Sequence, residues 1–554
     1  MKFIPALTAS FLTLAAASAQ DTLRQAGEGR VFLKTPADQP PITGVGVTLG
    51  SVTDALWEKD PAKSVRQKDI RFGIRSWEWQ EIRISFTPTY DGSVELSLAG
   101  LWEQAQPGKI YRQEIFWDGL TATGTTLVNG GFETRTGEAA PDGWTSQAAY
   151  PAAGEWPLAG APAFEGRSVG TSWHNRMLSQ KIEVKTGQPV TLTLNARAAN
   201  LPGYVAPKTY GKDTHAHQAV AKIKRGVNLG NCWEVGPPFS WKVPYTPEDI
   251  DNIAAQGFDH IRIPVAWHHH MTLTPAGGYE IKPALLAELD PVIQRAVGKN
   301  LHILLDWHHF YDLDKDPSGR REQFVKGWQT IATHFKDASP LLFFELLNEP
   351  HDKLTTELLN PIQAEAIAAI RSIHPQRVIF LSTGDWGKIE ELDKLVLPDD
   401  DRLVVTVHCY EPFIFTHQNS SWTHLKDLKN IAYPGPPATP LSLPDSLKDD
   451  KHLTNLIQRY NTVQGIDNPS SPQKMLLLLD AAKRWSDHFG RPIHLGEFGA
   501  IDAASPESRI RYVKDVKNAA EARGIPWTLW DWKAKFAYWD KKTNQPLLRA
   551  AIFE

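Results

Sequence analysis

The 554-residue sequence is poor in sulfur, with two cysteines, Cys232 and Cys409, and four methionines. Two thiols build no disulfide framework, and these lack metal-site spacing. Net charge is small as well. The 59 Lys and Arg against 63 Asp and Glu leave −4, which supports neither nucleic-acid binding nor a polybasic membrane contact. No apolar run reaches the ~18–20 residues needed to span a bilayer. A Gly-rich phosphate loop is also missing.

Tryptophan, in contrast, is plentiful at 20 copies. An indole face suits the weakly positive axial C–H bonds of a pyranose, although large β-rich domains also bury Trp. The opening "MKFIPALTASFLTLAAASAQ" has a basic start at Lys2, an apolar stretch and a small-residue Ala17-Ser18-Ala19 site. Residues 1–19 therefore read as a signal peptide, which implies a secreted or periplasmic protein with no membrane segment after processing.

The length suits two or three domains. Residues 20–200 read as an all-β sandwich. "EIRISFTPTYDGSVELSLAG" and "KIEVKTGQPVTLTLNARA" each set two alternating runs around a turn, the pattern of a hairpin. "LVNGGFETRTGEAAPDGW" resembles the opening of carbohydrate-binding jelly-roll modules, and the preceding "EIFWDGLTATG" resembles their closing strand. One sandwich built from both parts is expected. It either binds polysaccharide or only packs against the rest of the chain. Trp77 and Trp79 share a strand face by spacing. Residues 201–222 read as a linker and lead-in helix.

From 223 to 554 short apolar runs alternate with helical segments. The predicted strands are 223–230, 260–265, 301–307, 341–348, 377–383, 403–410, 492–498 and 526–532. Eight such alternations predict an α/β fold, a (β/α)8 TIM barrel, whose functional groups sit at the C-terminal strand ends. On that plan Cys232 and Cys409 close the first and sixth strands and stay free. A long Pro-rich insertion, 411–473, is expected as a loop at the barrel mouth.

Within "LLFFELLNEP" (341–350), Glu345 and Glu349 interrupt an apolar run, where a charge needs a reason. Glu349 and Glu497 close strands four and seven. Two carboxylates at a barrel mouth fit glycosidic bond cleavage, one protonated and one ionised, with the environment splitting their pKa values. Arg262 and Tyr410 are placed to keep Glu497 ionised, and its charge would raise Glu349. Asn348, His308 and His309 can bond sugar hydroxyls, and Trp530 offers a flat floor. Glu345, four residues below Glu349, would lie in the interior paired with Arg262 or a backbone group.

These segments, "FFELLNEPH", "RPIHLGEFGA", "HIRIPVAW", "DWHH", "VHCYEPF" and "WTLWDW", resemble glycoside hydrolase family five. The resemblance implies a retaining barrel enzyme with Glu349 as acid/base and Glu497 as nucleophile. It places further family positions on Arg262, His308, His408, Tyr410 and Trp530. "GVNLGNCWE", "DWHHF" and "YEPFIFTHQNSSW" are similar to bacterial endo-β-1,4-glucanases that often also cut mannan. That adds substrate contacts at Asn231, Glu234 and His309, with Gln418 and Trp422 at the far end. Cys409, "NSSW" and the Pro-rich insertion depart from the pattern and leave substrate choice open between glucan, mannan and xyloglucan. The other reading is a polysaccharide-binding barrel without activity, but such proteins typically lose a catalytic carboxylate and both are present here. No cofactor or metal is expected, and a monomer is. Consecutive His268, His269 and His270 diverge on a loop, and "DLDKDPSG" carries Pro317 where a calcium loop needs Gly, so it reads as a solvated loop.

Overall fold

The computed structural model describes residues 26–57, 66–100, 102–106, 109–112, 114–137, 139–151, 163–199, 208–236, 242–465 and 468–554. The signal-peptide reading and the first part of the linker fall outside them. The chain divides into two compact units, Met1–Ala206 and Pro207–Glu554.

The first unit packs a six-stranded sheet on a five-stranded one. The larger has the order Thr145–Ser146, Leu178–Val184, Gly92–Gly100, Ala26–Lys34, Gln67–Arg75, Ala55–Trp57, and the smaller has Gly170–Ser172, Ile115–Thr123, Val190–Ala198, Gln80–Thr87, Thr43–Leu49. Alternation puts Ile82, Ile84, Phe86, Leu192 and Leu194 of one sheet and Leu96, Leu98 and Ile182 of the other into one core. The strands on both sides of the Asn-Gly phrase join this single sandwich. Asn129 takes φ 50° and its side chain bonds Thr134 O and Asp142 O, closing the turn that lets Phe132 pack on Trp144.

Neither expected hairpin forms. Gln80–Thr87 and Gly92–Gly100 belong to different sheets, as do Leu178–Val184 and Val190–Ala198. A period of two fixes which face is buried, but not which strand is the partner. The two arches instead lie against each other, with Gly187 N donating to Pro88 O and Thr186 N to Asp91 Oδ1. Trp77 and Trp79 sit in the link between Gln67–Arg75 and Gln80–Thr87, not on a strand.

The second unit is a closed barrel of eight parallel strands: β1 (Arg225–Asn228), β2 (His260–Val265), β3 (His302–Trp307), β4 (Leu342–Glu345), β5 (Ile379–Ser382), β6 (Leu403–His408), β7 (Ile493–Glu497) and β8 (Trp527–Leu529). The strands are shorter than the apolar runs suggest, because those runs continue into the βα turns. The lead-in helix is His215–Val220, N-capped by Thr214. Cys232 and Cys409 are free and buried.

Two loops differ from expectation. Tyr311–Lys315 and Pro317–His334 are helical, and the Asp316 side chain accepts from Gly319 N. Pro317 is a helix N1 residue there, a position that tolerates a missing N–H. The 411–473 insertion contains the helix Lys451–Thr462. Buried Tyr433 anchors it to the helix Pro506–Ala522, through Ser508 Oγ to its N–H and through its hydroxyl to Asp515.

Candidate active site

The site is built around one buried cation. Arg262 on β2 is 0 % exposed. Its Nε and Nη2 donate to both oxygens of Glu345 at 2.8 and 2.9 Å. Nη1 donates to Asn228 Oδ1 at 2.9 Å and to Glu497 Oε1 at 2.7 Å, and Nη2 reaches Asn348 Oδ1 at 2.7 Å. Asp306 Oδ2 lies 3.0 Å from Nη2. This fork geometry suits arginine and no other cation.

Glu345 thus has the arginine partner the sequence suggested. The strand-rise picture of two glutamates on one strand does not hold. β4 stops at Glu345, main-chain bonds from Leu346 N to Phe380 O and Asn348 N to Trp307 O carry the edge onward, and Glu349 turns off with φ 47°. A non-glycine residue held left-handed is strained, and such strain concentrates where function demands a fixed geometry.

Glu497 ends β7 and takes two donors, Arg262 and the Tyr410 hydroxyl at 2.9 Å. Glu349 Oε1 lies 2.8 Å from His408 Nδ1, which is 3.7 Å from Glu497 Oε2. One oxygen of each carboxyl and this nitrogen all lie within 4.8 Å of one another. Such a trio has metal-ligand donor types, but Arg262 already supplies the positive charge beside Glu497.

Burial pushes both carboxyls up to about 7, against the opposing pull of Arg262. The rise at Glu349 comes from loss of hydration and not from the charge on Glu497, the cause that the sequence suggested. Asp306 rises to about 7 and Glu345 also rises, again through burial. One guanidinium therefore faces four carboxyl groups that resist ionisation, and they cannot all be charged at neutral pH. The negative charge favours Glu497, whose two donors stabilise the ionised form. The proton favours Glu349. Burial keeps His408 neutral by lowering its pKa.

The remaining residues surround this pair. Asn348 Nδ2 is buried with no partner among the described residues, a donor free for a ligand. His308 Nδ1 lies 2.7 Å from Asp306 Oδ2, and its ring stacks on Trp530 at 5.5 Å. Gly230 makes room for that tryptophan, since a Cβ there would lie 2.7 Å from the indole. His309, at φ 53°, stacks on Tyr311 at 5.3 Å. Asn231 Nδ2 approaches Asp531 Oδ2 at 3.4 Å.

Glu234 turns back on its own loop, where its oxygens accept Asn231 N and Cys232 N, and burial raises it to about 8. Gln418 is fully buried and pins main chain at Phe415 and Ile431, so it cannot reach a sugar. Trp422 is 57 % exposed. Sequence reasoning passed over Asn228 and Asp306. Each is a polar residue inside an apolar strand, the same signal that singled out Glu345.

The family model described as Cellulase (glycosyl hydrolase family 5) matches residues 224–536. Endoglucanase C of Acetivibrio thermocellus is 28% identical over 330 residues, 57% of this chain and 92% of that protein. Endoglucanase H of the same organism is 26% identical over 326 residues, 59% of this chain. The chain spans only 31% of Endoglucanase H and 51% of Endoglucanase 3 of Fibrobacter succinogenes. Among solved structures, Thermotoga maritima Cel5A in complex with mannotriose is 30% identical with TM-score 0.52, covering 61% of this chain and 99% of that one. The same enzyme with cellobiose aligns with equal identity and TM-score over 60% of this chain and 99% of that one. With an eight-stranded barrel and this carboxyl pair, the chain belongs to glycosyl hydrolase family 5, the cellulase family.

Proposed function

We propose that the protein is a retaining endo-β-1,4-glucanase acting by double displacement. The observation that carries this is the closeness of Glu349 and Glu497, with facing atoms no more than 4.8 Å apart. Retaining pairs stand ~5–5.5 Å apart and inverting pairs ~6.5–9.5 Å, which leaves room for a water. Glu497, ionised, attacks the anomeric carbon while Glu349 gives its proton to the departing glycosidic oxygen. Glu349 then takes a proton from water as that water attacks the same carbon and frees Glu497. Asn348 Nδ2 bonds a hydroxyl of the retained sugar, and Trp530 lies beneath its ring. Export through the signal over residues 1–19 belongs to the same proposal.

Mannan is the second reading, favoured by the mannotriose complex of the 30% identical Cel5A. Reducing-sugar release from β-glucan, mannan and xyloglucan ranks the substrates. NMR of the first-formed anomer tests retention, and an inverted product would rule the mechanism out. Glu349→Gln and Glu497→Gln are each expected to lower kcat by about 10²–10⁴-fold or more. An unchanged rate in either would remove that residue from the chemistry.

A further inference from the structure

The two carboxyls of the site are held unequally. Glu497 takes two donors, whereas among the described residues the carboxyl of Glu349 has His408 Nδ1 alone, at 2.8 Å. The direction of the acid therefore depends more on its main chain. That main chain is strained, since Glu349 and Asp352 are non-glycine residues at φ 47° and 53°. Each such residue costs about 1–3 kcal/mol and persists where the surroundings impose it.

His351 stands between those two residues in the chain and is 6 % exposed. Its Nδ1 lies 2.7 Å from the carbonyl oxygen of Glu349. A carbonyl only accepts, so Nδ1 carries the proton and donates it to this bond. The bond fixes the peptide plane that follows Glu349, and with it ψ of the acid.

His351 is itself seated from several sides. Its N–H donates to Asp314 Oδ1 at 3.2 Å, and Asp314 Oδ2 stands 3.7 Å from the ring Nδ1. Asp314 belongs to "DLDKDPSG", which reads as a solvated loop, yet it is buried on the helix Tyr311–Lys315. The Trp386 indole, on the turn Gly384–Gly387 after β5, covers one face of the imidazole with centroids 3.7 Å apart. Tyr311 meets the same ring edge-on at 5.9 Å. Trp386 N donates to Pro350 O at 3.0 Å, which ties the intervening residue to the same turn. A ring locked by packing and by hydrogen bonds holds its partner within the narrow tolerance that proton transfer needs.

We infer that His351 is a positioning residue for the acid: its Nδ1–H bond to the Glu349 carbonyl aims the Glu349 carboxyl at the departing oxygen. This rests on the hydrolase reading above. His351 acts through the main chain of Glu349, so its loss is felt where the leaving group needs a proton and little where it does not.

The test uses two substrates of similar shape, phenyl β-cellobioside, whose leaving oxygen needs protonation, and 2,4-dinitrophenyl β-cellobioside, whose phenolate departs unaided. His351→Asn keeps an N–H donor at the Nδ1 position, and His351→Gln moves it to the Nε2 position. His351→Gln is expected to lose about 10–100-fold more kcat/KM on the phenyl substrate than on the dinitrophenyl one, and His351→Asn to recover most of that difference. Equal losses on the two substrates would overturn the proposal and leave His351 a packing residue, and no loss on either would overturn it as well. So would an Asn variant no better than Gln, because the ring and not the Nδ1 bond would then matter. A wild-type protein inactive on both substrates would instead overturn the hydrolase reading, so the two failures are distinct.

Discussion

Replacing Glu345 by Gln tests the electrostatic account of the site, because it removes a charge that never touches substrate. Glu345 is 0 % exposed and accepts two charge-assisted hydrogen bonds from Arg262, at 2.8 and 2.9 Å. Each such bond contributes about 1.5–3 kcal/mol. Glutamine keeps one acceptor and turns an amide N–H₂ toward the guanidinium, so one bond is lost outright. Arg262 retains Asp306 and Glu497, which spares the larger penalty of an unpaired buried charge. A loss of about 2–3 kcal/mol is expected, or roughly 3–4 °C in the melting temperature of a barrel unit of this size. The freed guanidinium then acts more strongly on Glu497, so its pKa falls. On the proposed mechanism Glu497 attacks in its ionised form, and the acidic limb of kcat/KM therefore moves to lower pH. Calorimetry and a pH–rate profile on soluble β-glucan read both effects. A variant with unchanged melting temperature and no activity would refute this reasoning, and so would an acidic limb displaced to higher pH.

Stability should also fall as pH rises from about 4.5 to 8. Glu234 is raised to about 8, and Asp306, Glu349, Glu497 and Asp531 to about 7, all by burial. The folded state then binds more protons than the unfolded one between about pH 4.5 and 8, and the stability this gives is lost as pH climbs through that window. Melting temperatures measured from pH 5 to 8.5 should decline, and a rise would contradict the assignment. Gly230→Ala would push a Cβ to 2.7 Å from the Trp530 indole. Displacing that floor should lower kcat/KM by about tenfold or more, measured on cello-oligosaccharides, with less effect on melting temperature.

The barrel was legible because each of its strands is an apolar run bounded by a helix, and because Glu497 ends β7, Glu349 follows β4 and Arg262 is a charge inside the apolar β2. What the sequence hid is pairing and direction. Residues 80–100 alternate as a hairpin would, yet alternation is equally satisfied by two strands facing each other across a core. Glu234 and Gln418 are polar residues near the mouth, and nothing local says that backbone amides and carbonyls engage their side chains. Glu349 looks like a strand residue, and its left-handed φ comes from tertiary ties through His351 and Pro350. Asp306 carries the same signal as Glu345, a charge inside an apolar run, but its partner emerges only when β2 brings Arg262 to 3.0 Å.

The arches of the sandwich bear on how that unit comes to exist. In the five-stranded sheet the middle strand is Val190–Ala198, which pairs with Gln80–Thr87 on one side and Ile115–Thr123 on the other. It is also the last of the five to leave the ribosome. Until then neither Gln80–Thr87 nor Ile115–Thr123 has the partner that covers its inner edge in the folded sheet. Contacts that span ~75–110 residues must close before any of them is rewarded, which makes folding slow and concentrates the risk of aggregation in the interval before residue 198 is synthesised. The barrel grows differently: β1 to β8 are added in order, and only the closing β8–β1 pair waits for the end of the chain.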